Sequence, residues 1–329
     1  MRQLRVERVG IRIDRSGLNP FADLKLLGSY RRRLKRLSPA AYLGYTIKPN
    51  IYGSIAAASL KIPAIPNVSG LGTTFMRRGP LRQIAIVLYR AAFRRAAIVF
   101  FQNPEDRQLF VDLRIVAADR ARLVPGSGID LDRFQLAPFP ASGPVFLLIG
   151  RLLRDKGVRE FVAASRLVRT EFPAARFQLL GPIDEGNRSA ISAAELQSWV
   201  EEGCVEYLGA TDDVRPCIAG ASVIVLPSYR EGLPRSLLEG AAMGRPLIAA
   251  DVAGCREVVE DGVNGFLCAP RDKVALARAM RNMAVLPARE RAAMGQSGRR
   301  RVQERFSESV VIAAYLEALA EVDPARQPI

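Results

Sequence analysis

Two carboxylates eight residues apart, Glu231 and Glu239, lie in the stretch Pro227-Ser-Tyr-Arg-Glu-Gly-Leu-Pro-Arg-Ser-Leu-Leu-Glu-Gly-Ala-Ala-Met-Gly-Arg-Pro-Leu-Ile-Ala-Ala-Asp251. An ionised carboxylate is a hydrogen-bond acceptor, so such a pair can hold donor groups of a ligand. Two cations, Arg151 and Lys156, follow the apolar run Val145-Phe-Leu-Leu-Ile149 and Gly150. Fixed cations there can stabilise negative charge that grows in a transition state, a task otherwise given to a divalent metal. Residue types alone leave plainer readings open: a solvated loop Glu, a helix-surface Glu, and two loop cations at a helix start.

The surrounding elements decide where these groups would stand. Val223 to Leu226 is a β-branched run of the kind buried in a parallel sheet, and Pro234 suits the first turn of a helix that ends at Gly244, before Pro246. Glu231 is thereby expected in the loop at the strand's carboxyl end and Glu239 one to two turns into the helix. Both positions border the crevice where open α/β sheets bind ligands. Val145 to Gly150, Arg176 to Gly181 and Val205 to Gly209 are further strand-to-glycine endings on the same rim. Tyr207 and Leu208 lie on the last of these, with a core role expected for Leu208. Helices are expected from Asp272 to Met283, Ala288 to Phe306 and Ser309 to Val322.

In the first half, Arg8 to Asp14 alternates like a strand, and Pro20 to Leu37 is expected to be helical with Asn19 as its cap. Strands are expected at Ala41 to Tyr45, Ala64 to Val68, Ala97 to Phe101 and Arg122 to Val124. Helices are expected at Ser54 to Leu60, around Leu81 to Arg95, and at Pro104 to Leu113 with Asn103 as cap. A glycine-rich turn, Ser69-Gly-Leu-Gly-Thr-Thr-Phe75, follows the second strand. Pro138-Phe-Pro-Ala-Ser-Gly-Pro144 is rich in breakers and reads as a linker. Asp130-Leu-Asp132 beside it is taken as structural.

A chain of 329 residues with 49% hydrophobic content can bury two cores. Residues 1–140 carry 24 Lys+Arg against 9 Asp+Glu and residues 141–329 carry 24 against 24, so the first part holds the whole net charge of +15. The cations cluster at Arg31-Arg-Arg-Leu-Lys-Arg36, at Arg77-Arg78, and along Arg82, Arg90, Arg94 and Arg95. The last group shares a helix with Leu81, Ile84, Ile86, Val87, Leu88 and Phe93, a combination that suits an anionic membrane surface. A solvated face and nucleic-acid binding are the alternatives, the latter without a motif or stacking pattern to accompany it. Four cysteines without C-x-x-C spacing and no histidine speak against a zinc site, and a reducing cytoplasm is the expected compartment. No apolar run reaches the roughly 18 residues of a membrane span, and the amino terminus lacks the apolar core of a signal peptide.

The run from Pro227 to Asp251, with its neighbours from about Val145 to Phe306, resembles the donor-site signature of retaining glycosyltransferases of family 4. That resemblance implies an α/β chain with two Rossmann-like domains facing across a cleft, the GT-B arrangement. It divides the chain into an acceptor-side domain at 1–140, a nucleotide-sugar domain at 141–306, and a helix and tail at 307–329 returning towards the first. Arg151 and Lys156 would hold the donor diphosphate, Glu231 the donor sugar and Glu239 the ribose. Gly232 and Leu233 lead into the helix amino terminus that faces the diphosphate, and Gly181 and Tyr207 lie where the base sits. Thr46-Ile-Lys-Pro-Asn-Ile-Tyr-Gly53 and Gly70-Leu-Gly72 are similar to blocks of members that build capsule, O-antigen and lipid-linked glycans. On that likeness Lys48, Asn50, Ser69 and Gly70 belong to the acceptor side.

The implied reaction moves a sugar from a nucleotide-sugar, with UDP expected, to a polyprenyl-diphosphate-linked glycan at the inner face of the cytoplasmic membrane. It needs no metal or cofactor and involves no nucleic acid. Two departures stand out. Ser69 occupies a position where many members place a histidine near the transferred sugar, and the first domain is expected to lack its opening βα units, roughly 60 residues by the usual length of such units. A truncated, inactive nucleotide- or membrane-binding protein and a nucleotide-sugar 2-epimerase are the alternative readings.

Overall fold

A computed structural model describes residues 19–71, 79–140, 143–187 and 189–322, together with residues 7, 9–11, 13 and 75. The chain divides into two units, one running to Leu123 and resuming at Tyr315, the other from Val124 to Ala314.

In the first unit α1 (Pro20–Leu37) starts where Asn19 Oδ1 accepts from the N–H groups of Phe21 and Ala22, at 3.0 and 3.4 Å. Pro20 lacks an N–H that the first turn would leave unpaired anyway. Leu26, Tyr30 and Leu34, spaced by four, form its buried stripe. Then follow β1 (Tyr42–Tyr45), a π-helical turn at Pro49–Gly53, α2 (Ser54–Ser59), β2 (Ala64–Val68), α3 (Pro80–Phe93), β3 (Val99–Phe101), α4 (Pro104–Asp112) and β4 (Ala121–Leu123). The strands are parallel in the order β1-β2-β3-β4. Right-handed crossovers put α2, α3 and α4 on one face of this sheet, and α1 packs beside α2.

The strand expected over Arg8 to Asp14 is not seen at residues 9–11 and 13, and residues 8, 12 and 14 lie outside the described set, as do Gly72, Arg77 and Arg78. The turn at Pro49–Gly53 was not expected at all. Asn50 Nδ2 donates to Asn67 O at 2.7 Å from inside it, which holds the wider turn against β2.

The second unit contains β5 (Val145–Ile149), α5 (Val158–Arg169), β6 (Arg176–Leu180), α6 (Ala193–Glu201), β7 (Glu206–Tyr207), α7 (Arg215–Gly220), β8 (Val223–Leu226), α8 (Arg235–Ala242), β9 (Leu247–Ala250), α9 (Ala253–Val258), β10 (Gly265–Cys268), α10 (Lys273–Val285), α11 (Ala288–Arg305) and the start of α12 (Glu308–Val322). Its six parallel strands run β10-β9-β8-β5-β6-β7. The chain winds outward from β5 through β6 to β7, then returns to lay β8 on the other side of β5. The winding direction thus reverses between β5 and β8, and the loops leaving these two strands part there. Both strands are buried along their whole length, as near-continuous apolar runs should be in a parallel sheet.

Pro234 caps α8 in an extended conformation, one position earlier than expected. Near the breaker-rich 138–144 segment, Arg245 is fully buried and donates to the carbonyls of Ile218, Ala137, Pro138 and Ala219 at 2.7–3.2 Å. Burial lowers its pKa to about 10, so it remains charged at neutral pH while fixing four backbone oxygens.

The last turns of α12 belong to the first unit. Tyr315 packs against Phe100 with ring centroids 4.8 Å apart and the rings tilted by 55°, while Phe101, the next residue of β3, meets Phe110 of α4. Successive side chains of a strand point to opposite faces, so α12 covers the face that α2 to α4 leave open.

Candidate functional site

The loop after β5 and the loop after β8 meet at the switch point through backbone. Lys156 ends a 3-10 turn, Arg154–Lys156, and the next residue, Gly157, has φ +74°. A Cβ on Gly157 would overlap the Pro227 carbonyl, so only glycine lets the turn bed against the end of β8. Tyr229 N–H donates to Asp155 O at 3.0 Å and its hydroxyl to Glu160 Oε1 at 2.7 Å, a second tie between the two loops. Arg271 lies over the Tyr229 ring, 4.5 Å from its centroid.

The result is a close ion pair. Lys156 Nζ stands 2.5 Å from Glu231 Oε1, with side-chain exposures of 27% and 11%. Behind it Gly254 of α9 approaches so closely that a Cβ would overlap the Gly232 carbonyl. Cys255 beside it is buried, and burial, reinforced by the Glu231 charge, holds its thiol pKa well above the ordinary value. The base of the Glu231 loop is therefore buried and closely packed.

The other expected donor-side residues are placed as follows. Arg151 leaves β5 and its guanidinium donates to Asp184 Oδ2 at 2.7 Å. Glu239 is nearly buried and accepts from Arg235 Nε at 2.8 Å, one helical turn earlier. Burial raises the Glu239 carboxyl pKa and Arg235 draws it partly back. Gly232 is buried, and Leu233 packs where a side chain on Gly126 would otherwise stand. Gly181 N–H donates to Gly209 O at 2.8 Å, and Tyr207 donates its hydroxyl to Gly181 O at 3.0 Å, so β5, β6 and β7 end on one ledge. Leu208, expected in the core, is 38% exposed, because the two-residue strand β7 ends before it.

In the first unit Lys48 Nζ is paired with Asp23 Oδ1 at 2.7 Å, both largely buried, and Tyr52 donates its hydroxyl to Asp23 Oδ2 at 2.8 Å. Asn50 is buried, so it braces β2 from below. Asn67 continues that network: its Nδ2 donates to Tyr315 Oη at 2.7 Å, and Gln102 Nε2 donates to its Oδ1 at 3.3 Å. Ser69 is exposed, and Gly70 follows with φ +141°.

Asp184, Asp155 and Tyr229 escaped the sequence reading. The signal for Asp184 was its place three residues after Gly181, on the loop leaving β6 next to β5. Asp155 and Tyr229 act partly through backbone groups, which residue type does not reveal.

The chain matches the family description "Glycosyl transferases group 1" over residues 143–284 and "Glycosyl transferase 4-like domain" over residues 1–126. It is 30% identical over 288 residues, 81% of this chain and 73% of the relative, to an N,N'-diacetylbacillosaminyl-diphospho-undecaprenol alpha-1,3-N-acetylgalactosaminyltransferase of Campylobacter jejuni. It is 28% identical over 205 residues to a putative colanic acid biosynthesis glycosyltransferase, WcaL, of Escherichia coli, covering 58% of this chain but half of that one. Among solved structures, Anabaena Alr3699/HepE in complex with UDP-glucose superposes with a TM-score of 0.77 at 21% identity, over 92% of this chain and 84% of that one. Sucrose-phosphate synthase from Thermosynechococcus elongatus does so with 0.78 at 20% identity, over 93% and 79%.

Proposed function

The chain belongs to the group 1, family-4-type glycosyltransferases of GT-B fold, and from that premise we propose that it moves a hexosyl or N-acetylhexosaminyl group from a UDP-sugar to a polyprenyl-diphosphate-linked glycan, with retention of configuration. The observation that carries the reading is the Lys156–Glu231 pair at the switch point of the second sheet, a cation and a carboxylate within one contact. A relative that acts on a diphospho-undecaprenol-linked substrate supports the acceptor class.

In this mechanism Arg151 and Lys156 receive the charge of the leaving diphosphate, so a divalent metal is not required. Glu231 accepts hydrogen bonds from sugar hydroxyls and Glu239 from those of the ribose. The backbone from Gly232 and Leu233 into α8 offers N–H groups and a favourable dipole to the phosphates, and the ledge of Gly181 and Tyr207 takes the base. The bond from the anomeric carbon to the diphosphate oxygen breaks, one to an acceptor hydroxyl forms on the same face, and the hydroxyl proton passes to the departing phosphate. Lys48, Ser69 and Gly70 serve the acceptor, with Asn50 as their support. The work is done at the inner face of the cytoplasmic membrane, without nucleic acid.

The test is transfer by the purified chain from a panel of UDP- and GDP-sugars, with and without a short polyprenyl-diphosphate sugar, beside Glu231→Ala and with a chelator present. Transfer from a UDP-sugar that needs the lipid acceptor, survives the chelator and vanishes in the variant is expected. Release of a free epimer without acceptor, or UDP binding without turnover, would overturn it.

A further inference from the structure

Tyr229 stands two residues before Glu231 in the loop that leaves β8, and both of its polar ties reach the segment that carries Lys156. Its N–H donates to the carbonyl of Asp155, the residue before Lys156, at 3.0 Å. Its hydroxyl donates at 2.7 Å to Glu160 Oε1, on the first turn of α5 and four residues after Lys156. Tyr229 therefore brackets Lys156 from both sides. Asp155 is itself held, its Oδ2 accepting from Ser189 Oγ at 3.1 Å. A third contact comes from the connection between β10 and α10, where Arg271 lies over the Tyr229 ring in a left-handed conformation, φ +62°, that a side chain adopts only at a cost.

Glu160 depends on this arrangement as much as Tyr229 does. Among the described residues its second oxygen, Oε2, is buried and has no hydrogen-bond partner, so the Tyr229 hydroxyl is the donor that compensates the carboxylate. Burial first, and the neighbouring Glu160 carboxylate second, push the Tyr229 hydroxyl up to about 12, so it remains a donor at neutral pH. None of these partners, the Asp155 carbonyl, Glu160 or Arg271, is a group assigned to the donor.

That separation matters once a donor arrives. Lys156 Nζ stands 2.5 Å from Glu231 Oε1, but on the proposed function the leaving diphosphate would take Lys156, and the carboxylate would lose that anchor at the step where it must orient the sugar. The Tyr229 ties contain no group that the ligand takes, so they persist through the exchange. We propose that Tyr229 is the positioning residue of Glu231: anchored on Asp155, Glu160 and Arg271, it keeps the Glu231 loop in register with the β5 loop and the carboxylate aimed at the donor sugar after Lys156 has turned to the diphosphate. This deepens the proposed function and rests on it for the identity of the ligand.

The experiment compares Tyr229→Phe, Glu160→Ala and Glu160→Gln with the wild-type chain, and Tyr229→Phe also in combination with Glu231→Gln or Lys156→Met. Steady-state transfer, calorimetric binding of UDP and of the UDP-sugar, and urea midpoints are read on the same preparations. Phenylalanine keeps the ring beneath Arg271 and removes only the hydroxyl. Expected for Tyr229→Phe is a kcat lower by about tenfold or more, since an ångström of misplacement can cost roughly a hundredfold, with UDP affinity unchanged because UDP carries no sugar for Glu231 to hold. Glu160→Ala should copy this loss, and Glu160→Gln, which retains an acceptor oxygen, should recover most of it. In the Glu231→Gln background Tyr229→Phe should cost less in kcat than in the wild type. A kcat at the wild-type value, equal losses in both backgrounds, or UDP binding that falls along with kcat overturns the proposal. The urea midpoints need no turnover: the lowering by Tyr229→Phe should be smaller once Lys156→Met has broken the pair, and strict additivity overturns the coupling. A chain that transfers from no donor refutes the proposed function, and the urea cycle then decides the positioning on its own.

Discussion

Lys156→Met is the perturbation that separates a working ion pair from a merely structural one. Methionine keeps the apolar stem and removes the ammonium, leaving the Glu231 carboxylate, 11% exposed, without the cation 2.5 Å away. Exposed pairs contribute about 0.2–1 kcal/mol, whereas breaking a fully buried pair costs about 3–5 kcal/mol. With exposures of 27% and 11% this pair falls between them, and a loss of about 1–2 kcal/mol follows, or a melting temperature lower by about 2–8 °C. The effect on rate is separate. Removing one donor aimed at charge that develops in the transition state costs about 10²–10³ in kcat, and KM should move less because the ground-state phosphates keep their other partners. Thermal melting and steady-state transfer kinetics on the same preparation measure both, with Glu231→Gln as the reciprocal variant. A melting point that falls while kcat stays at the wild-type value would refute the reasoning and reduce the pair to a bolt between two loops.

Gly157→Ala should destabilise the second unit by about 1–3 kcal/mol from its backbone conformation alone, before the overlap with Pro227 O is counted, and a urea titration reads this directly. The raised Glu239 pKa predicts that UDP-sugar affinity falls as pH drops through a value above the ordinary 4.5, since only the carboxylate accepts both ribose hydroxyls; Glu239→Gln should bind weakly and without that dependence. For folding the sign reverses: the unfolded carboxyl ionises first, so the Glu239 contribution to stability falls as pH rises from 4.5 through the folded pKa, and the glutamine variant should lack this slope in urea midpoints. Tyr315→Phe leaves the fully buried Asn67 Nδ2 without its acceptor and should cost about 1–3 kcal/mol in the first unit, read as a lower urea midpoint.

Most of the fold could be read from the sequence because its signals are local. Asn19 and Asn103 cap the helices whose starts they marked, and Val145 to Ile149 and Val223 to Leu226 form the two central strands of the second sheet. What escaped was set by contacts distant in sequence. The π-helical turn at Pro49–Gly53 is tied to β2 by Asn50 reaching Asn67, a partner 17 residues away. Within the candidate site the residue types and the strand endings were legible, but the partners of the charges were not. Nothing near Arg151 in sequence points to Asp184, and nothing near Lys156 points to Glu231, because each pair joins loops that leave neighbouring strands. Those loops become neighbours only through the order of strands in the sheet.

These partners alter what ligand binding must accomplish. Arg151, Lys156 and Arg235 are matched by Asp184, Glu231 and Glu239, so these six candidate groups form three ion pairs. On the proposed function, a nucleoside diphosphate arriving there would find these cations already paired. Its phosphates would compete with carboxylates for Arg151 and Lys156, while its hydroxyls would offer those carboxylates new donors, so each side of an ion pair would be exchanged for a ligand group. Selectivity would follow from that exchange, because inorganic phosphate could take the cations but would leave the largely buried Glu231 and Glu239 without compensation. A ligand carrying both anionic and hydroxyl groups satisfies both halves. The first part of the chain is built the opposite way, with 24 basic against 9 acidic residues up to position 140 and exposed cations on α1 and past the end of α3. Long-range attraction and sensitivity to salt are therefore expected of that part, and on the proposed function discrimination between ligands would fall to the paired charges of the other.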